Sequence, residues 1–414
     1  MIETSPPGDV AREAAVDARL AELIRARGQA NERFFAAEAE RIARLCQRMA
    51  ERFARGGRLL ALGASPQARS DARHVAVEFV HPVIVGKRAL PALALAPEGG
   101  PASRQLELLA RRDDIVLAYE GAPPGRPEDA DLAVALDVAR ARGCLTVGFP
   151  APAAQWSFAP PGDDFVRQEL VETLYHVLWE LVHVFFEHGG LPQGRRTAAL
   201  SDAGACNFLY PFLAEQEQDL DALAADVCQS VRLKAAEVGE LRERALAGAG
   251  AELSAAARAL RARLEGGGTC LVFGNGGSAT DAMDLAADLR YPPPGSGWPA
   301  RPALDLTEDT AVLTAIVNDI GADAAFARQV IAYGRPGDAA VALSSSGSSR
   351  NIIEALAEAR RRGLLTLALV GYDGGRIRAE SLADHVLVVP SQHIPRIQEA
   401  QATLYHMLRE LLER

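Results

Sequence analysis

The chain is short of the residues that mark secreted or disulfide-built proteins. Its five cysteines in 414 residues (Cys46, Cys144, Cys206, Cys228 and Cys270) are scattered, odd in number and without CxxC spacing. That excludes a disulfide framework and a zinc knuckle, and leaves reduced, mostly buried thiols. No apolar run approaches the length of a membrane helix, and the opening MIETSPPGDVAREAA lacks the basic and apolar parts of a signal peptide. The expected location is the cytoplasm, with no membrane partner. Positive charge is also in deficit: 44 Lys and Arg against 54 Asp and Glu give a net charge of -10, which argues against nucleic acid as a partner. The glycine-rich turn at 274–277 is followed by no GK[ST] and lacks the spacing of GxGxxG, so no nucleotide cofactor is expected.

What remains is ordinary globular protein, 49% apolar and 24% charged, long enough for two domains. Residues 9–55 read as one or two amphipathic helices stopped by Gly56-Gly57. A strand (58–62), a turn (63–66) and a helix (68–80) follow, and strands at 92–96, 115–118 and 145–148 alternate with a helix at 129–142. This is the βαβ rhythm of a parallel sheet, closed by an apolar helix over 164–187. The same order restarts after a linker. Residues 207–265 are helical, Gly266-Gly267-Gly268 stops them, and a strand (269–273), a glycine loop and a helix follow.

The restart is a repeat, legible residue by residue. DARHVAVEF (71–79) lies over DAMDLAADL (281–289), and VRQELVETLYHVLWEL (166–181) over RIQEAQATLYHMLREL (396–411), with Leu-Tyr-His shared at 174–176 and 404–406. Two α/β modules follow: an N-terminal one at 1–190, a linker at 191–204 and a C-terminal one at 205–414.

The copies differ in chemistry. In the second, strand 269–273 ends in Gly274-Asn275-Gly276-Gly277-Ser278 at a helix start, where turning glycines and unpaired N–H groups suit a phosphate as well as a tight turn. A second loop, Ser344-Ser345-Ser346-Gly347-Ser348-Ser349, ends the apolar run 339–343; it reads as a donor cluster or as a Ser-rich helix cap. The first copy has lost both loops. Its turn is Gly63-Ala64-Ser65-Pro66-Gln67 and its second loop Tyr119-Glu120-Gly121-Ala122-Pro123-Pro124, where Pro66 removes a donor and Glu120 repels phosphate.

On the next helix the pattern inverts. His74 and Glu78 share a helical face in copy one, and Asp284 and Asp288 take the same places in copy two. The closing helices keep Gln168 with His176 and Gln398 with His406. His, Glu, Gln and His could hold zinc or another divalent ion, and Asp, Asp, Gln and His a harder one; packing by hydrogen-bonded polar groups is the other reading. Gln398 and His406 are eight residues apart. That is roughly 12 Å along a helix, so a site using both would combine helices from different modules.

The motifs GNGGSATDAM, Asn318-Asp319 in AIVNDIG, SSSGSSRNII and RIQEAQATLYH resemble the SIS (sugar isomerase) domain family, most closely its phosphoheptose isomerase branch, which converts sedoheptulose 7-phosphate to a heptose 7-phosphate. The likeness covers residues 205–414 well and 20–188 in degenerate form. It implies two tandem SIS-type modules, each a parallel sheet sandwiched between helices, and a phosphorylated sugar as substrate. By resemblance, Asn275, Gly276, Gly277, Ser278, Asn318, Asp319, Ser344, Ser345, Ser346, Ser349 and Gln398 fall on substrate-binding positions. The family's metal ligands His, Glu, Gln and His fall on Asp284, Asp288, Gln398 and His406, with Asp288 at the general base and His406 at the general acid. Three departures stand out: Asp284 replaces a histidine, Asp288 a glutamate, and Pro395 an acidic residue before RIQE. Family members assemble as tetramers of single modules, so a homodimer of this tandem chain would supply four. The implied activity is aldose–ketose isomerisation through an enediol. The alternative is a phosphosugar-binding sensor or accessory protein without catalysis.

Overall fold

The computed structural model describes residues 7–83, 87–120, 127–188 and 220–413. The expected linker 191–204 and most of the degenerate loop after Tyr119 lie outside them, as does Cys206. The chain forms two compact units, one of Asn31–Glu237, the other of Met1–Ala30 with Val238–Arg414. The units thus interleave the two sequence halves instead of following chain order.

In the Asn31–Glu237 unit, helix α1 (Pro7–Ala54) enters from Asn31 on. It is followed by β1 (Leu59–Gly63), α2 (Pro66–Val80), β2 (Ala92–Ala94), α3 (Ala102–Leu109), β3 (Ile115–Tyr119), α4 (Pro127–Ala141), β4 (Leu145–Phe149), β5 (Trp156–Ser157) and α5 (Asp164–His188). The strands lie in the order β2-β1-β3-β4-β5, all parallel.

The other unit repeats the plan. After α6 (Leu220–Glu265) come β6 (Cys270–Gly274), α7 (Gly277–Arg290), β7 (Ala303–Asp305), α8 (Thr310–Asp319), α9 (Ala327–Tyr333) and β8 (Ala339–Ser344). Then follow α10 (Arg350–Arg361), β9 (Leu365–Val370), α11 (Gly375–Ala379), β10 (His385–Val388) and α12 (Ile394–Leu411). The order β10-β9-β8-β6-β7 is again fully parallel.

The central strands β1, β3, β4, β6, β8 and β9 are mostly apolar and buried because both faces are covered. Successive side chains alternate between faces. Cys270 and Val272 therefore join one apolar cluster with Leu285, Tyr405 and Leu408, while Leu271 and Phe273 join another with Ile352 and Leu356. This is the expected sheet sandwiched between helices.

One device that sequence reading missed recurs in both copies. The Asp114 carboxylate accepts from the amides of Arg58 and Arg111, each at 2.9 Å, and Asp338 accepts from those of Thr269 and Arg335, each at 2.8 Å. A buried aspartate thus joins the starts of the two central strands in each module and satisfies amides that would otherwise be orphaned.

Candidate active site

Chain order marks where the sheet reverses. From β6 the chain runs to β7 on one side and then to β8 on the other, so the loops after β6 and β8 flank the point where the sheet order reverses, outside the strands' carboxyl ends. Gly274 ends β6 so close to the next helix that a Cβ there would lie 2.2 Å from the Ser278 carbonyl oxygen. Gly276 caps α7 at φ 57° and ψ -124°, a backbone closed to residues with a side chain, and no side chain caps the helix. The first N–H groups of α7 are left for a ligand, at the positive end of its dipole.

The serine loop faces the glycine loop through one link. Asn275 and Asn351 each donate a side-chain amide hydrogen to the other, at 3.0 and 2.8 Å. Ser344 Oγ accepts from Gly347 N at 3.1 Å and Ser346 Oγ from Ser348 N at 3.2 Å, so these hydroxyls shape the loop. Ser346 is exposed, Ser345 and Ser349 half-buried, Ser344 and Ser278 buried. Asn318 and Asp319, also exposed, end α8 and bond to each other at 2.7 Å.

Behind the loops, α7 and α12 bring Asp284, Asp288 and His406 together, all buried. His406 Nε2 lies 3.5 Å from Asp284 Oδ2 and 3.4 Å from Asp288 Oδ2, and the Tyr405 hydroxyl donates to Asp284 at 2.8 Å. Arg409 donates to the Asp288 carbonyl at 3.1 Å while its guanidinium lies over Trp298. Burial pulls its pKa down, an effect that Glu413 opposes. Gln398 is buried on α12 with His406, and Pro395 sits in that helix's first turn, where its fixed φ fits.

The other unit holds the matching group. His74 Nε2 lies 3.4 Å from His176 Nε2 and 3.8 Å from Glu78 Oε1, with Tyr175 against the His74 ring. Gln168 is half-buried on α5. In each trio the ligand atoms lie within 4.8 Å of one another. Each therefore fits a divalent ion, and each is built inside one unit. Where copy two carries its serine loop, copy one has a stack of buried rings, Tyr119 on Phe149 and Phe149 on Phe158. Burial, and then the charge of Asp71, pushes the Tyr119 phenol well above its ordinary pKa.

A phosphoheptose isomerase of Geobacter sulfurreducens is 47% identical over 180 residues, which span 43% of this chain and 91% of that protein. The chain belongs to the phosphoheptose isomerase family. A family member from Pelodictyon phaeoclathratiforme is likewise 47% identical, over 42% of this chain and 83% of its own length. The model of the SIS domain matches residues 235–371. Among solved structures, the C-terminal domain of glucosamine-fructose-6-phosphate aminotransferase from Francisella tularensis covers 95% of this chain and 94% of its own, at a TM-score of 0.57 and 9% identity. That likeness concerns the fold, and it extends over two SIS-type modules.

Of the two quartets that sequence singled out, the structure brings together Asp284, Asp288 and His406 in one and His74, Glu78 and His176 in the other. Two residues of the site were missed. Tyr405 had served only as a marker of the repeat, and Asn351 stood only within the motif SSSGSSRNII. The signal for Tyr405 was present, since a Leu-Tyr-His shared by both copies sets a tyrosine beside each histidine.

Proposed function

We propose that this chain is a phosphosugar aldose–ketose isomerase acting on sedoheptulose 7-phosphate or a close relative. The observation that carries the reading is the open amino end of α7 at Gly276-Gly277-Ser278, linked to the serine loop by Asn275 and Asn351. There the phosphate meets backbone amides and the hydroxyls of Ser278, Ser345, Ser346 and Ser349, donors without fixed positive charge that release it again. Asn318, Asp319 and Gln398 orient the sugar hydroxyls.

Asp288 takes the proton from one carbon and returns it to its neighbour, while His406 gives and recovers a proton at the adjacent oxygen. A divalent ion held by Asp284, Asp288 and His406 would supply Lewis acidity at the sugar carbonyl. His74, Glu78 and His176 would hold a second ion, as metal supply or structure for the module without a cradle. Two chains pair so that four modules assemble.

The test is incubation with sedoheptulose 7-phosphate and shorter ketose phosphates, with and without zinc, followed by NMR for solvent deuterium at carbon. Exchange and product are expected. Binding without either, across the panel, would replace this reading with that of a sensor. Glu78→Ala decides the first module's part: unchanged turnover removes it from the mechanism.

A further inference from the structure

Each compact unit takes in the beginning of the long helix that belongs to the other half of the sequence. Leu20, Leu23 and Ile24 of α1 are buried in the same apolar cluster as Leu253, Leu260, Tyr405 and Leu408. Conversely, α6 belongs to the Asn31–Glu237 unit as far as Glu237, with Leu223, Val227 and Val231 buried. Where α1 passes into that unit, Asn31 donates its amide to the Ala235 carbonyl at 2.7 Å.

A buried ion pair marks each exchange. Arg27 bonds Glu410 at 2.8 Å, and the two side chains are 2% and 8% exposed. Lys234 pairs with Glu180, both buried. The two glutamates are the same residue of the repeat, each four positions after the site histidine, His406 or His176, and so on that histidine's helical face. A charge buried there is tolerated only with its partner, so the basic residue fixes the rotation of the helix just beyond the histidine.

We propose that Arg27 is the positioning residue for His406, delivered to the C-terminal site from the first helix of the chain, and that Lys234 does the same for His176 from the second half. The positioning role rests on reading His406 as a site residue; the exchange of helix ends does not.

The test is amide hydrogen exchange on the full chain, read by mass spectrometry. Arg27→Met is expected to speed exchange in 394–411 at least tenfold and leave 164–188 unchanged, whereas Lys234→Met does the reverse. Each variant loosening the closing helix of its own sequence half, or neither loosening any, would overturn the exchange. If Arg27→Met does not fold, Glu410→Gln must loosen the same helix. Positioning has its own readout: Arg27→Met shifts the His406 ring resonances and Arg27→Lys restores them, with His176 unmoved throughout. An unmoved His406 would overturn the positioning role, whether or not the chain turns over a sugar phosphate.

Discussion

Asn275 and Asn351 hold each other by two amide hydrogen bonds, at 3.0 and 2.8 Å, from positions 76 residues apart. One lies in the glycine loop and the other in the first turn of the helix after the serine loop, so their pairing sets the gap between two donor clusters. Asn275 is exposed and Asn351 half-buried, and net hydrogen-bond energies near a surface are small, about 1 kcal/mol. Asn351→Ala should therefore barely change stability while weakening sugar-phosphate binding about tenfold, or ~1.4 kcal/mol. Calorimetric titration beside a thermal melt separates the two. Unchanged affinity would remove the pair from the cradle.

Gly276 sits where a side chain is strained although nothing lies within 4 Å of a Cβ built there. The penalty of Gly276→Ala is thus conformational, on the order of 1–3 kcal/mol, and cannot be relieved by repacking. Denaturant titration should show that loss. A fully stable variant would mean that the turn adopts another backbone, and the N–H groups of α7 would then not be aimed as described.

The parts legible in sequence were those with local periodicity. The turn at Gly274 to Ser278, the helix carrying Asp284 and Asp288, and the repeat seen in Leu-Tyr-His all rest on residues close in the chain. Asp114 and Asp338 carried no signal, because an aspartate near a strand start is common and its bonds reach a strand 56 or 69 positions away. β7, three residues long, was too short for any pattern to show. The pairing of Arg27 with Glu410 spans 383 positions, and no helical period connects them. Module membership of residues 7–30 was for that reason invisible, though most of the helix containing them was plain.

Stability should fall in alkali through Cys270. Burial, and then the charge of Asp338, pushes this thiol from 9.0 up to about 12. A raised folded-state pKa means that the contribution is fully present below about pH 9 and is lost as pH climbs toward 12, since only the unfolded chain ionises there. By pH 10.5 the loss amounts to about 2 kcal/mol. Denaturant curves at pH 8 and 10.5 should show the wild type losing that much more than Cys270→Ala. Equal losses would mean that the thiol ionises as readily in the folded protein.

Asp288 gives the sharpest test of the chemistry. It stands 3.4 Å from His406 Nε2 in a buried cluster, on a side chain one methylene shorter than the glutamate at the matching place, Glu78, in the other module. A general base misplaced by about 1 Å costs on the order of a hundredfold in rate. If Asp288 is the base of an enediol step, Asp288→Asn should abolish turnover of sedoheptulose 7-phosphate with binding retained. Asp288→Glu should change kcat, upward by as much as that hundredfold if the added reach brings the carboxylate to the substrate carbon, with little effect on KM. Steady-state rates decide it, supported by deuterium incorporation at carbon, which reports proton transfer itself. An asparagine variant that still exchanges the carbon-bound proton would move the base elsewhere, and Glu78, which carries the longer carboxylate, would be next to examine.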